Sequence, residues 1–96
     1  MEIQNEIVLS LSEIQNIDKI LLFGSRARGD YRERSDIDLA IWCPNASDAD
    51  WNSILEIIEN ANTLLKIDCV RLDSMTESNP LRQKIESEGR VIYTKV

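Results

Sequence analysis

Three aspartates stand where a folded core has little use for them. Asp36 and Asp38 flank Ile37 in Ser35-Asp36-Ile37-Asp38-Leu39, and Asp68 interrupts the largely apolar run from Leu64 to Leu72. In an extended strand alternate residues share a face, so Asp36 and Asp38 project together, away from Ile37, Leu39 and Ile41. Aspartate is depleted in strand interiors, and like charges side by side repel. If the strand that carries Asp68 is a neighbour, three carboxylates meet on one face. Each then costs on the order of several kcal/mol unless paired or bound to a cation. Oxygen donors without sulfur or imidazole suit Mg²⁺, with Mn²⁺ as a substitute. Mg²⁺ takes one or two carboxylates and completes its shell with water and substrate phosphates. Asp36, Asp38 and Asp68 thus suit a pair of ions and a triphosphate, one ion activating an attacking oxygen and the other stabilising the leaving group. Asp68 is the natural candidate to orient or deprotonate an acceptor hydroxyl.

The complementary half lies upstream, in Gly24-Ser25-Arg26-Ala27-Arg28. Glycine after a buried strand lets backbone amides approach a phosphate closely, and a helix starting there presents free N–H groups. The Ser25 hydroxyl adds a donor, and Arg26 and Arg28 are candidates to neutralise the phosphates, one of them with solvent as its alternative. Taken singly these residues have plainer readings. Asp36 reads equally as a turn residue after Ser35, Asp68 as a charge on an exposed edge strand, and Gly-Ser as an ordinary strand end. Arg32 and Arg34 read as a solvated loop, and Trp42 and Trp51 as packing residues. The conjunction carries the weight.

The elements that must position these groups follow from periodicity. Ile3, Ile7, Val8, Leu11 and Ile14 predict an amphipathic helix over about residues 2–16. Ile20 to Phe23 predicts a buried strand, stopped by Gly24-Ser25, and Arg26 to Asp30 one helical turn ended by Gly29. Tyr31 to Ser35 reads as loop and Asp36 to Trp42 as a second strand. Ser47 or Asp48 caps a helix over about 48–62, whose apolar stripe is Trp51, Ile54, Leu55 and Ile58. A third strand is expected over 64–72. Asn79-Pro80 opens a last helix, Gly89 ends it, and Val91 to Tyr93 forms a short closing strand. The expected architecture is α+β, a two-layer α/β arrangement: a small mixed sheet of about four strands with helices packed against it.

Composition narrows the chemistry further. With 96 residues, one domain over 1–96 is expected, with a modest core. The 43% apolar and 29% charged shares are those of a globular chain. The chain has no histidine, which excludes imidazole bases and histidine-ligated zinc, and two cysteines alone complete no zinc site. Cys43 and Cys69 read as small buried hydrophobes in a reducing compartment. A net charge of −6 disfavours general nucleic-acid binding. The acidic start lacks the features of a signal peptide, and no apolar run is long enough to span a bilayer, so a cytoplasmic location is expected.

The set Gly24-Ser25, ten residues, Asp36-Ile37-Asp38 resembles the signature of the polymerase-beta-type nucleotidyltransferase superfamily, which is Gly-Ser, ten residues, Asp-x-Asp. Within that superfamily, FGSRARGDYRERSDIDLAI, the Asp68 segment KIDCVRL and the closing IESEGRVIY look like the minimal nucleotidyltransferases, or MNT proteins. The resemblance covers roughly residues 18–93. It implies a nucleotidyltransferase fold, metal binding and catalysis at Asp36, Asp38 and Asp68, and nucleotide phosphate contacts at Gly24 and Ser25. It implies a Mg²⁺-dependent transfer of a nucleoside monophosphate, AMP from ATP, to an acceptor hydroxyl. MNT proteins typically pair with a helical HEPN protein as toxin and antitoxin, so the implied acceptor is a tyrosine of a HEPN toxin. Two further readings stand beside it: an antitoxin acting by binding alone, and a catalytic subunit for a small molecule such as an aminoglycoside. Self-association is compatible with each.

Overall fold

The computed structural model describes residues 3–95. The elements are α1 (Ile3–Leu11), β1 (Lys19–Phe23), α2 (Ser25–Arg28), β2 (Ile37–Trp42), α3 (Asp48–Glu59), β3 (Ile67–Arg71), a 3-10 turn at Leu72–Ser74, α4 (Pro80–Glu88) and β4 (Arg90–Thr94). They build one four-stranded sheet in the order β3-β2-β1-β4. β1 runs antiparallel to both β2 and β4, whereas β2 and β3 are parallel. A parallel pair needs a crossover, and α3 supplies it. The mixed sheet with helices expected from the sequence is the sheet observed.

Alternation decides which face each strand residue covers. Ile20 and Leu22 of β1 and Ile37, Leu39 and Ile41 of β2 are buried with Ile7 and Leu11 of α1 and Ile54 of α3. Leu21 and Ala40 point the other way and pack with Leu72 and with Ile85 of α4. The helices α1 and α3 therefore form the layer on one face, while α4 covers part of the other. Asp38 shares its face with Ala40 and Trp42, two and four residues further along β2.

Several boundaries differ from the periodic reading, each for a local reason. The predicted start of the first helix at residue 2 lies outside the described residues. Its end comes at Leu11, well before residue 16. The Ser12 hydroxyl bonds the Leu9 carbonyl at 2.7 Å, and successive turns draw Ile17 back into the core, where it is fully buried. Ile14 still packs on that core, so its apolar spacing is real although it is not helical. α3 stops at Glu59, with Asn60 as its C-cap, short of residue 62. β3 starts at Ile67 because its partner β2 starts at Ile37, and the two are in register. Leu64, placed in that strand by its hydrophobicity, is fully exposed in the preceding turn.

α3 begins as expected, but with a reciprocal cap. The Ser47 oxygen accepts from the Asp50 N–H, and the Asp50 carboxylate accepts from the Ser47 N–H. Asn16 also donates to Asp50 at 2.8 Å, and these bonds hold its carboxyl below the ordinary range.

The far ends of β2 and β3 are joined by side chains. Arg71 donates to the carbonyls of Cys43 at 2.9 Å and Ala46 at 3.1 Å, and pairs with Asp73 at 3.0 Å. Asp73 in turn accepts the Cys43 N–H at 2.9 Å. The Arg71 guanidinium lies over the Trp51 ring, and that of Arg82 over Trp42. Both tryptophans are thus packing residues capped by arginine. No described helix is long and apolar enough to cross a membrane.

Candidate active site

β2 and β3 are neighbours, so the geometric condition on the carboxylates is met. In the parallel ladder Asp38 stands directly opposite Asp68. Across the other ladder Asp38 faces Phe23, the last residue of β1. Partial burial, followed by the charges of Asp68 and Asp36, pushes the Asp38 carboxyl above the ordinary range; Lys66 opposes that shift. Asp68 is 43% exposed at its side chain and pairs with Lys66 at 3.6 Å. Asp36 is exposed and sits just before β2, outside the ladder; the next residue, Ile37, donates its N–H to the Lys66 carbonyl at 2.9 Å. The plain readings of Asp36 as a turn residue and Asp68 as an edge-strand residue are therefore sound locally, and the fold still brings both beside Asp38.

Among the described residues, no three histidine, cysteine, aspartate or glutamate side chains are gathered as a ready cage for an ion. The arrangement is an acidic pair with a third carboxylate near enough to raise its charge cost. That donor set suits a hard cation that brings most of its own shell as water and phosphate.

The Gly24 turn is built against this pair. Gly24 has φ 72° and ψ −156°, and a β-carbon placed on it would overlap the Asp38 Oδ2 atom. No other residue combines that backbone shape with so close an approach. The glycine and the first strand aspartate are thus one contact, although fourteen positions separate them. Ser25 opens α2, and the chain leaves that single turn at Gly29, which adopts φ 86° and returns its N–H to the Ser25 carbonyl at 3.0 Å.

The two arginines separate. Arg28 is exposed and meets Asp30 at 3.4 Å. Arg26 is buried, 8% exposed, and turned into the loop: its Nε donates to the Ser35 carbonyl at 3.2 Å. One terminal nitrogen donates to Ser35 at 3.1 Å and to Glu33 at 3.3 Å. The expectation of Arg26 as a phosphate neutraliser meets a geometry that engages those nitrogens with backbone carbonyls. Phe23, Tyr31 and Lys66 were not singled out by sequence reasoning. Lys66 could have been, since it lies two residues before Asp68 and so shares its strand face.

A cleft of about 570 Å³ lies between α1 and α3, lined by Glu6, Ile7, Ser53, Glu56 and Asn60 among others. None of the predicted site residues borders it.

Comparison with known proteins adds four findings. The family model "Polymerase beta, Nucleotidyltransferase" matches residues 5–96. A protein of Methanocaldococcus jannaschii, named as a candidate protein adenylyltransferase, is 38% identical over 86 residues, covering 80% of this chain and 79% of that protein. A chain in the crystal structure of a mutant MntA–HpeT toxin–antitoxin pair superposes with TM-score 0.69 at 26% identity, covering 96% of this chain and 72% of the other. A chain in a complex of tri-AMPylated Shewanella oneidensis HEPN toxin with MNT antitoxin superposes with TM-score 0.65 at 20% identity, covering 97% and 71%, a likeness of fold.

Proposed function

We propose that this chain, which belongs to the Polymerase beta, Nucleotidyltransferase family, moves AMP from ATP to a tyrosine hydroxyl of a helical HEPN-type partner and so silences it. That the chain is a nucleotidyltransferase follows from the family; donor, acceptor and partner are the proposal. The acceptor oxygen forms a bond to the α-phosphorus as the bond to the bridging oxygen breaks, and pyrophosphate leaves. The hydroxyl proton passes to the Asp68 carboxylate, which is open to solvent and lies beside Asp38. The Gly24 backbone and the Ser25 hydroxyl hold the triphosphate, with exposed Arg28 at its outer edge. Asp36, Asp38 and Asp68 are the residues that would hold Mg²⁺, or Mn²⁺ in its place, which when bound neutralises phosphate charge and acidifies the acceptor hydroxyl.

One observation carries this reading. The Asp38 carboxyl, raised by its partial burial and then by the charges of Asp68 and Asp36, is packed against a glycine turn, which is an unfavourable arrangement in a chain with no use for a cation there. The adenylyltransferase name of the Methanocaldococcus relative and the AMPylated HEPN toxin in the Shewanella complex support the donor and acceptor.

The test is to incubate the chain with α-labelled ATP, Mg²⁺ and a HEPN-type protein. Label should appear on a partner tyrosine and vanish with Asp36→Asn/Asp38→Asn. Equal labelling by that double variant defeats the mechanism. Neutralisation that survives the double variant without any labelling assigns the chain to contact inhibition. Label found only on an aminoglycoside-type acceptor assigns the partner to walling a small-molecule site.

A further inference from the structure

Of the three carboxylates, Asp36 is the one the sheet holds on one side only, through the Ile37 N–H on the Lys66 carbonyl at 2.9 Å. Asp38 and Asp68 are fixed by the β2–β3 ladder, whereas Asp36 precedes it at the end of an exposed loop. What fixes that loop is Arg26. Its guanidinium reaches across to the Glu33 and Ser35 carbonyls, and two of its nitrogens share the Ser35 oxygen. That oxygen belongs to the peptide plane leading directly into Asp36. Ser35 is further tied by its N–H to the Arg32 carbonyl at 2.9 Å and by its hydroxyl to the Arg32 N–H at 2.8 Å. The Tyr31 ring covers the guanidinium at 4.8 Å from its centroid. Arg26 is the buried charged side chain among the described residues, and none of their carboxylates lies within ion-pair distance of it. A desolvated cation without a counter-ion is costly, and it is held here by carbonyls and one aromatic face.

We propose that Arg26 is a positioning residue: it spans the interval between the Gly24 turn and Asp36 and sets Asp36 beside Asp38 and Asp68. This rests on the nucleotidyltransferase reading of the site. The planar fork matters, because a lysine in its place offers one point of charge and cannot bridge two carbonyls while stacking on a ring. The clamp gives a physical reason for the fixed stretch between Ser25 and Asp36. Arg26 sits at the start of that stretch, on α2, and its carbonyl targets sit at the end.

The experiment compares wild type with Arg26→Lys and Tyr31→Leu, using two readouts that need no turnover. Backbone order parameters at Asp36 should fall in Arg26→Lys from about 0.85 to below about 0.6, while those of β1 and β2 stay high. Mn²⁺ affinity, read from free-ion EPR, should weaken about 10–100-fold, as for loss of groups that orient metal ligands. With nucleotide and partner present, kcat should fall about 10²-fold while the KM for ATP stays within about threefold. A raised KM with a rigid Asp36 would make Arg26 a phosphate ligand and overturn the proposal, as would unchanged order and Mn²⁺ affinity. If Arg26→Lys does not fold, Tyr31→Leu decides: it keeps each hydrogen bond but uncovers the guanidinium. Both readouts should then move in the same direction, and no movement overturns the clamp. If wild type transfers no nucleotide, the functional reading falls, whereas Asp36 order still decides the positioning role.

Discussion

Replacing Asp38 with asparagine should make the metal-free protein more stable while abolishing transfer. The carboxylate stands opposite Asp68 in the parallel ladder, with Asp36 close by and only Lys66 in opposition. A like-charged pair directly across a sheet costs about 0.2–1 kcal/mol. Asp68 is 43% exposed, so water screens the pair and the lower half of that range applies. Partial burial of the Asp38 carboxylate adds to it, and a total near about 1 kcal/mol falls within the usual gain of about 0.5–2 kcal/mol from removing an unfavourable charge. In a domain of this size that is about 4–8 °C in Tm. The pH dependence has a definite sign. The folded pKa is raised, so protonation of Asp38 favours folding, fully below about pH 3.9, and that contribution is lost as pH climbs through the raised value. Asparagine escapes the loss. Its advantage over aspartate should therefore be largest at pH 7 and shrink toward zero near about pH 4. Urea unfolding at the two pH values measures this directly. An equal advantage at both would assign the effect to packing, and a less stable variant at pH 7 would refute the charge argument.

Three more outcomes follow from the geometry. Gly24→Ala places a methyl group into the Asp38 carboxylate and demands a backbone shape that only glycine adopts readily, so it should cost at least about 1–3 kcal/mol in denaturant unfolding and eliminate transfer. Asp73→Ala removes both the Arg71 partner and the acceptor for the Cys43 N–H, and should cost about 1.5–3 kcal/mol by the same measurement, with Mn²⁺ affinity nearly unchanged. Burial pushes the Cys43 thiol up to about 11 and the Cys69 thiol up to about 12, so neither should react with a disulfide reagent at pH 7 until the chain unfolds, when both should react. Rapid labelling of the native protein contradicts that assignment.

The parts of this molecule that could be read in advance are those where a local rule and the tertiary structure agree. Ile20 to Phe23 and Ile37 to Trp42 became strands because apolar runs and alternation demand burial, and Asn79-Pro80 opened a helix by the cap and proline expected. Asp38 and Asp68 were suspect because burial has no place for such charge, and the ladder set them face to face. What escaped depended on partners distant in sequence. Helix α1 was read five residues too far because Ile14 is apolar for the core's sake, and the helix pattern cannot distinguish that from a continuing turn. Leu64 counted toward a strand whose real limit is set by Ile37 on the neighbouring chain segment. Arg26 was legible as a cation near phosphate chemistry, but its burial beneath Tyr31 and its carbonyl targets depend on how a loop folds back.

The contact between Gly24 and Asp38 also constrains how such a sequence can drift. A side chain at position 24 is tolerated sterically only if position 38 shrinks, yet a smaller residue there has no carboxylate to offer. The two sites are therefore coupled: the change at position 38 that relieves the clash removes the chemistry, and it leaves the backbone strain of a side chain at position 24 in place. An inactive descendant that has lost the aspartate should therefore still keep the glycine, because the positive φ at position 24 disfavours any side chain even when the space is open.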